Sequence, residues 1–225
     1  MSYTLVIGNK AYSSWSLRGW LLLEAYGIPF EEQLIPLYTD AFLAAQAPDG
    51  ALAPGRQVPT LIHQEGAERR VVWDSLAIAE YLAERHPEAG IWPSDPAARA
   101  AARCLAAEMH SGFSALRSNM PMNLKRSYPG RGRTPAVASD VERLEALWAW
   151  ARAGFGGEGP FLFGAFSATD AFFTPVASRL RTYAVALSGP AQAYCDALLA
   201  TPAFRAWEAA AVAEPWVEPR YQYED

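Results

Sequence analysis

Three serines and a tyrosine crowd into one short stretch, Tyr12-Ser13-Ser14-Trp15-Ser16. Such hydroxyls have two uses. One accepts from the free N–H groups of a helix that begins here, since Leu17, Trp20, Leu21, Leu22 and Leu23 supply a helical apolar face ended by Gly27 and Pro29. The surplus can donate to a ligand. A hydroxyl aimed at a thiol stabilises the thiolate and lowers the thiol pKa from ~8.5 toward neutrality. One pKa unit needs only about 1.4 kcal/mol, within reach of one charge-assisted hydrogen bond. Two other features fit the same kind of ligand. Val58-Pro59 opens a strand-like run. A cis bond there would turn the Val58 N–H and C=O outward, free to pair with an extended peptide. Asp74-Ser75 stands at a helix start, where unpaired N–H groups and the dipole favour a carboxylate. The Ser75 hydroxyl is an extra donor, and Asp74 is an acceptor for an ammonium group.

These residues need a scaffold. Residues 3–8 are β-branched and apolar, and residues 30–36 read as a second strand after the first helix. A strand, a helix and a strand in so short a space predict a parallel βαβ unit, with the hydroxyl cluster at the carboxyl edge where α/β sheets bind ligands. Residues 38–57 look irregular. Residues 58–62 and 70–73 then flank a turn at 64–68 and predict a hairpin, followed by a helix from Asp74-Ser75 to about His86. Three prolines and a glycine in 87–96 read as a linker. Beyond it, helical spacing prevails over 97–116, 137–153, 171–187, 191–199 and 202–211. The expected organisation is an α/β domain over 1–86, a linker over 87–96 and an all-helical domain over 97–225.

Composition narrows the function. Of 225 residues, 51% are hydrophobic and 19% charged, ample for a core. A net charge of −5 argues against a nucleic-acid partner. The basic group Lys125, Arg126, Arg131 and Arg133 reads as a solvated loop. No run approaches the ~20 apolar residues of a membrane span, and the N-terminus carries no signal-peptide pattern. Cys104 and Cys195 form no C-x-x-C pair, and His63, His86 and His110 show no metal-ligand spacing. A reduced cytoplasmic chain without a metal or a thiol redox centre is expected.

Taken together, these features resemble the soluble glutathione transferase family. The segment Gln57-Val58-Pro59-Thr60-Leu61, the pair Asp74-Ser75 and the helical second half all match. Ser13-Ser14-Trp15-Ser16-Leu17-Arg18 looks like the S-S-x-S-x-R helix start of serine-type members, the zeta class above all. Gly164 followed by Ser167-Ala168-Thr169-Asp170 resembles the family's capping box, a structural feature. The resemblance implies a thioredoxin-like βαβ–ββα half and a helical half, a homodimer, and glutathione as co-substrate. It implies that the thiol is activated for attack on a small hydrophobic electrophile, with glutathione-dependent isomerisation, peroxide reduction or a non-catalytic binding role as alternatives. Ser13 is the expected thiol-activating hydroxyl, with Ser14 second and Tyr12 third. Val58 would pair with the cysteinyl backbone, and Gln57, Asp74 and Ser75 would hold the γ-glutamyl end. Trp15 stands where zeta-like members have Cys, which counts against the isomerase activity of that class. No glycyl-end ligand is assigned in 46–56. The second-substrate wall is expected from Tyr12, Met109, His110, Phe113, Asn119 and Met120, with Leu116 and Met122 alongside. Arg117 and Lys125 are candidates for an acidic co-substrate, and His110 for glutathione binding or acid–base work.

Overall fold

The computed structural model describes residues 2–223. Strand β1 (Ser2–Ile7) leads through a tight turn into helix α1 (Ser14–Glu24), and β2 (Glu31–Leu34) returns parallel to β1. Helix α2 (Asp40–Ala45) follows, then the antiparallel pair β3 (Thr60–Glu65) and β4 (Glu68–Trp73), and α3 (Ser75–Arg85). The sheet order is β2-β1-β3-β4, with β1 and β3 antiparallel. This is the thioredoxin-like arrangement expected. The hairpin turn is tighter than its sequence suggested, because Gly66 at φ 60 lets the chain reverse between Glu65 and Glu68. Residues 38–57 are not wholly irregular, since Thr39 caps α2 by accepting from the Phe42 N–H.

Alternation along β1 builds two layers. Tyr3, Leu5 and Ile7 face the main core with α1 and α3, while Val6 faces a smaller cluster with Ile35, Ala45 and Leu52. Gly19 of α1 lies where a Cβ would come within 2.9 Å of the Pro59 ring, so a side chain there would push the Val58–Pro59 corner.

The second half comprises α4 (Pro96–Ser111), α5 (Ser114–Asn119), α6 (Pro135–Phe155), α7 (Ala168–Thr182), α8 (Gly189–Ala200) and α9 (Pro202–Ala213). The helix expected over 97–116 is two helices. Phe113 adopts φ 56, α4 stops at Ser111, and α5 starts afresh with the Leu116 N–H donating to Asp140 Oδ2 of α6 at 2.8 Å. Segment 87–96 is packed rather than loose. It holds a 3-10 turn (Pro87–Ala89) and buries Ile91 and Trp92, and the Ile91 carbonyl accepts from the Ala168 N–H at 2.8 Å. One continuous core therefore joins both halves, with α1 packed on α3, α7 and α9. Among the described residues, no helix is long and apolar enough to cross a membrane.

The box at the start of α7 anchors this core. Asp170 accepts from the Ser167 N–H at 2.8 Å and hydroxyl at 2.8 Å, from the Tyr194 hydroxyl at 2.8 Å and from the Leu162 N–H at 3.4 Å. Burial nevertheless raises its carboxyl from an ordinary 3.8 to about 6, against the pull of these donors. A carboxyl whose folded pKa lies above its unfolded pKa lends stability below the lower value, and that contribution fades as pH rises through the higher one. Asp170→Asn should therefore cost about 2–4 kcal/mol in urea denaturation by leaving a buried donor unmatched. The gap to wild type should narrow between pH 4 and pH 7.

Candidate active site

The turn between β1 and α1 is held from several directions. Asn9 Oδ1 accepts from the Leu37 N–H at 2.8 Å. Glu214, just past α9, accepts from the Lys10 N–H at 2.7 Å and the Ala11 N–H at 3.3 Å. The Trp207 indole donates to the Lys10 carbonyl at 3.0 Å. This turn carries the hydroxyl cluster to the rim of a cavity of about 480 Å³.

Tyr12, Ser13, Ser14, Gln57, Val58, Asp74 and Ser75 all line that one cavity, although they come from three separate parts of the chain. Val58–Pro59 is cis. Asp74 holds φ 74, a region costly for a side-chain-bearing residue, and caps α3 by accepting from the Leu76 N–H at 2.8 Å. The Ser75 hydroxyl oxygen is buried with no protein partner, beside the first turn of α3. An orphaned hydroxyl at a helix start suits a ligand carboxylate.

The serines differ in what they hold. Ser13 is the N-cap of α1, accepting from the Ser16 N–H at 3.2 Å and donating to Ser16 Oγ at 2.7 Å. Ser16 in turn accepts from the Gly8 N–H at 3.0 Å. Ser14 is the first residue of α1, and its Oγ accepts from Arg179 Nη2 at 3.0 Å. A guanidinium can only donate, so the Ser14 hydrogen is left for another acceptor. The Tyr12 hydroxyl accepts from Gln222 Nε2 at 3.4 Å, and burial raises its pKa.

Arg179 was not legible as a site residue. It lines the cavity from α7, buried, and its Nε has no partner. Burial, with Arg117 adding repulsion, lowers its pKa to about 10. Arg117 of α5 also lines the cavity. Its guanidinium lies 4.5 Å from the Trp15 ring, on which Arg18 also stacks at 4.5 Å. Among the described residues, none of these arginines joins a salt bridge. A signal for Arg179 did exist. Phe172, Val176, Arg179 and Tyr183 fall at helical spacing, so the arginine sits on an apolar stripe.

The opposite wall differs from the expected one. Met109, Phe113 and Met120 are buried in the core, away from the cavity, because α4 ends before Gly112 and turns them inward. Leu116 and Met122 are likewise fully buried core. Asn119 does not line the cavity either, since its side chain donates back to the Ala115 carbonyl at 2.8 Å. His110 stands behind the lining, in contact with Asp74 at 3.1 Å. Lys125 is used by the C-terminal segment, donating to the Glu214 and Trp216 carbonyls. The wall comes instead from Leu37, Tyr38, Phe42, Pro121 and Tyr221. Tyr221 stacks on Tyr12 at 5.1 Å and shares a 3.2 Å hydrogen bond with Tyr38, while Arg220 lies 4.1 Å over the Tyr38 ring. Gln46 and Arg56 line the other end. Neither cysteine reaches the site, and burial pushes the Cys195 thiol up to about 12. Among the described residues, no group of three or more His, Cys, Asp or Glu could hold a metal ion.

The thioredoxin-like half thus brings a cis-proline corner and the hydroxyls of a helix start to one cavity, together with Arg117, Pro121 and Arg179 of the helical half. Residues 12–85 match the family model of the glutathione S-transferase N-terminal domain. A probable maleylacetoacetate isomerase of Caenorhabditis elegans is 31% identical over 139 residues, 61% of this chain and 61% of that protein. The match thus spans less than two thirds of that relative's length. Among solved structures, a maleylacetoacetate isomerase from Anaeromyxobacter dehalogenans 2CP-1 with glutathione in its active site is 25% identical, with a TM-score of 0.65 over 92% of this chain and 94% of that one. A second structure of it, holding dicarboxyethyl glutathione and citrate, is 24% identical with a TM-score of 0.65 over 97% and 98%. A glutathione transferase homolog from Burkholderia gl BGR1 with bound glutathione has a TM-score of 0.67 at 24% identity, over 95% and 100%. Residues 12–85 thus match a glutathione S-transferase N-terminal domain, and the chain as a whole shares the fold of these structures.

A buried guanidinium without a carboxylate is an electrostatic burden on the fold. Arg179→Met should keep or raise folding stability, by up to roughly 1–2 kcal/mol in thermal or urea denaturation.

Proposed function

We propose that the chain binds glutathione in this cavity and activates its thiol through Ser14, rather than Ser13, for addition to an electrophile. The observation that carries this reading is the Ser14 Oγ to Arg179 Nη2 hydrogen bond of 3.0 Å at the cavity edge. Ser13 spends its proton on Ser16, whereas Ser14 keeps its own and has a cation behind it. A hydroxyl polarised by a buried guanidinium, at the first turn of an 11-residue helix, is a strong donor to a sulfur anion. Activation is then thiolate stabilisation plus proximity, with no covalent role for the protein.

In this reading Val58 pairs with the cysteinyl backbone. The Ser75 hydroxyl and the start of α3 take the γ-glutamyl carboxylate, Asp74 takes the α-ammonium, and Gln57 closes that end. Arg56 is the candidate for the glycyl carboxylate. Glutathione held by two structures of the same fold, in one of them in the active site, supports glutathione as the ligand.

Arg117 and Arg179 favour a second, narrower reading for the acceptor. Two cations without carboxylate partners on one wall suit an electrophile that carries a carboxylate. The citrate and dicarboxyethyl group bound by a related isomerase fit that class. Reversible thiolate addition to an anionic double bond would give isomerisation, and irreversible addition would give transfer.

Titration of thiolate absorbance with bound glutathione tests the donor. The wild-type thiol should ionise below ~8.5. Ser14→Ala should raise that pKa by about one unit, or ~1.4 kcal/mol. Ser13→Ala should leave it in place and cost about 1 kcal/mol of stability as a lost cap. The reverse pattern would return the role to Ser13. For the acceptor, Arg117→Leu should lower kcat/KM roughly tenfold for an anionic electrophile and little for a neutral one of equal reactivity.

A further inference from the structure

His110 lies outside the cavity lining, yet it touches a residue that is part of it. It stands in the last turn of α4, and its Nε2 lies 3.1 Å from Asp74 Oδ2, within reach to donate to it. The other oxygen of that carboxylate accepts from the Leu76 N–H at 2.8 Å. One oxygen is thus held by α3 and the other by a helix of the second half. The imidazole is itself fixed. Trp15 meets it edge to face at 5.0 Å, and Phe172 packs at 6.2 Å. Its backbone carbonyl accepts from Arg117 Nη1 at 3.1 Å. Among the described residues its Nδ1 is buried without a partner, and the ring's polar contact is Asp74. Burial outweighs the pull of Asp74 and lowers the His110 pKa, which favours a neutral ring that carries its hydrogen on Nε2.

Capping α3 requires only one Asp74 oxygen, and a carboxylate held at one oxygen can still swing. Two fixed oxygens set the carboxylate plane and leave defined lone pairs for a ligand. We infer that His110 is a positioning residue which orients Asp74 to receive the α-ammonium of a γ-glutamyl ligand. This rests on the glutathione reading above. His110 does not reach the ligand. It acts through Asp74, so its effect is confined to the amino end and does not extend to the thiol.

The test compares glutathione with its deaminated analogue, in which hydrogen replaces the α-ammonium group. The variants are His110→Phe, which keeps a ring against Trp15 and Phe172 but removes the donor, and His110→Gln, whose amide can donate to the same oxygen. Asp74→Asn serves as the reference. Wild type should bind glutathione roughly tenfold more tightly than the analogue. His110→Phe should raise KM for glutathione roughly five- to tenfold, with KM for the analogue, kcat and the bound-thiol pKa unchanged. His110→Gln should recover most of the loss. Equal losses for both ligands, or a shifted thiol pKa, would show a merely structural role and overturn the inference. Unaltered discrimination in His110→Phe would overturn it while leaving the glutathione reading intact. A wild-type protein that binds neither peptide would remove both.

Discussion

Helix α1 is buried on nearly every side. Its residues from Ser16 to Leu23 are all inside, between the sheet, α3, α7 and α9. A helix in that position cannot present a polar face to water, so its polar groups face protein. Ser13 and Ser16 cap the turn below it, and Arg18 is stacked between the Trp15 and Phe172 rings. The N-terminus of α1 is the one end that opens toward a cavity. There the Ser14 hydroxyl and the Arg179 guanidinium converge. The rest of the architecture holds that end still. The Glu214 carboxylate, the Trp207 indole and Asn9 anchor the turn from regions remote in sequence.

The same burial explains the electrostatics. Arg18, Arg117 and Arg179 all have pKa values lowered by desolvation, and Arg117 adds repulsion at both Arg18 and Arg179. Aromatic rings stand in for carboxylates around Arg18 and Arg117. A carboxylate partner would have neutralised the field that a thiolate or an anionic acceptor could use. The fold tolerates this charge because α7 is fixed at its start by Asp170 and its four donors, and Arg179 lies on that same rigid helix.

Much of the ligand side was legible because it is local. The strand-to-helix turn, the Val58–Pro59 corner, the Asp74 cap and the Ser167–Asp170 box each depend on residues close together in sequence, and each sits where its pattern placed it. The acceptor side was not legible. It depends on where α4 breaks, and a left-handed Phe113 with a cap donated by Asp140 of another helix has no local signature. The wall that replaces it comes from Tyr38 and Tyr221, 183 positions apart.

By itself, the sequence determined the thioredoxin-like order of elements, the helical second half and the group of residues that gather at one cavity. Short-range periodicity, caps and proline chemistry suffice for those. The tertiary structure decided which serine has a hydrogen to give, because that depends on Ser16 beside Ser13 and on Arg179, 165 positions from Ser14. It also decided that the first helix is a component of both halves. Hydrogen-bond direction and desolvation depend on everything packed around a group, and that packing exists only once the chain is folded.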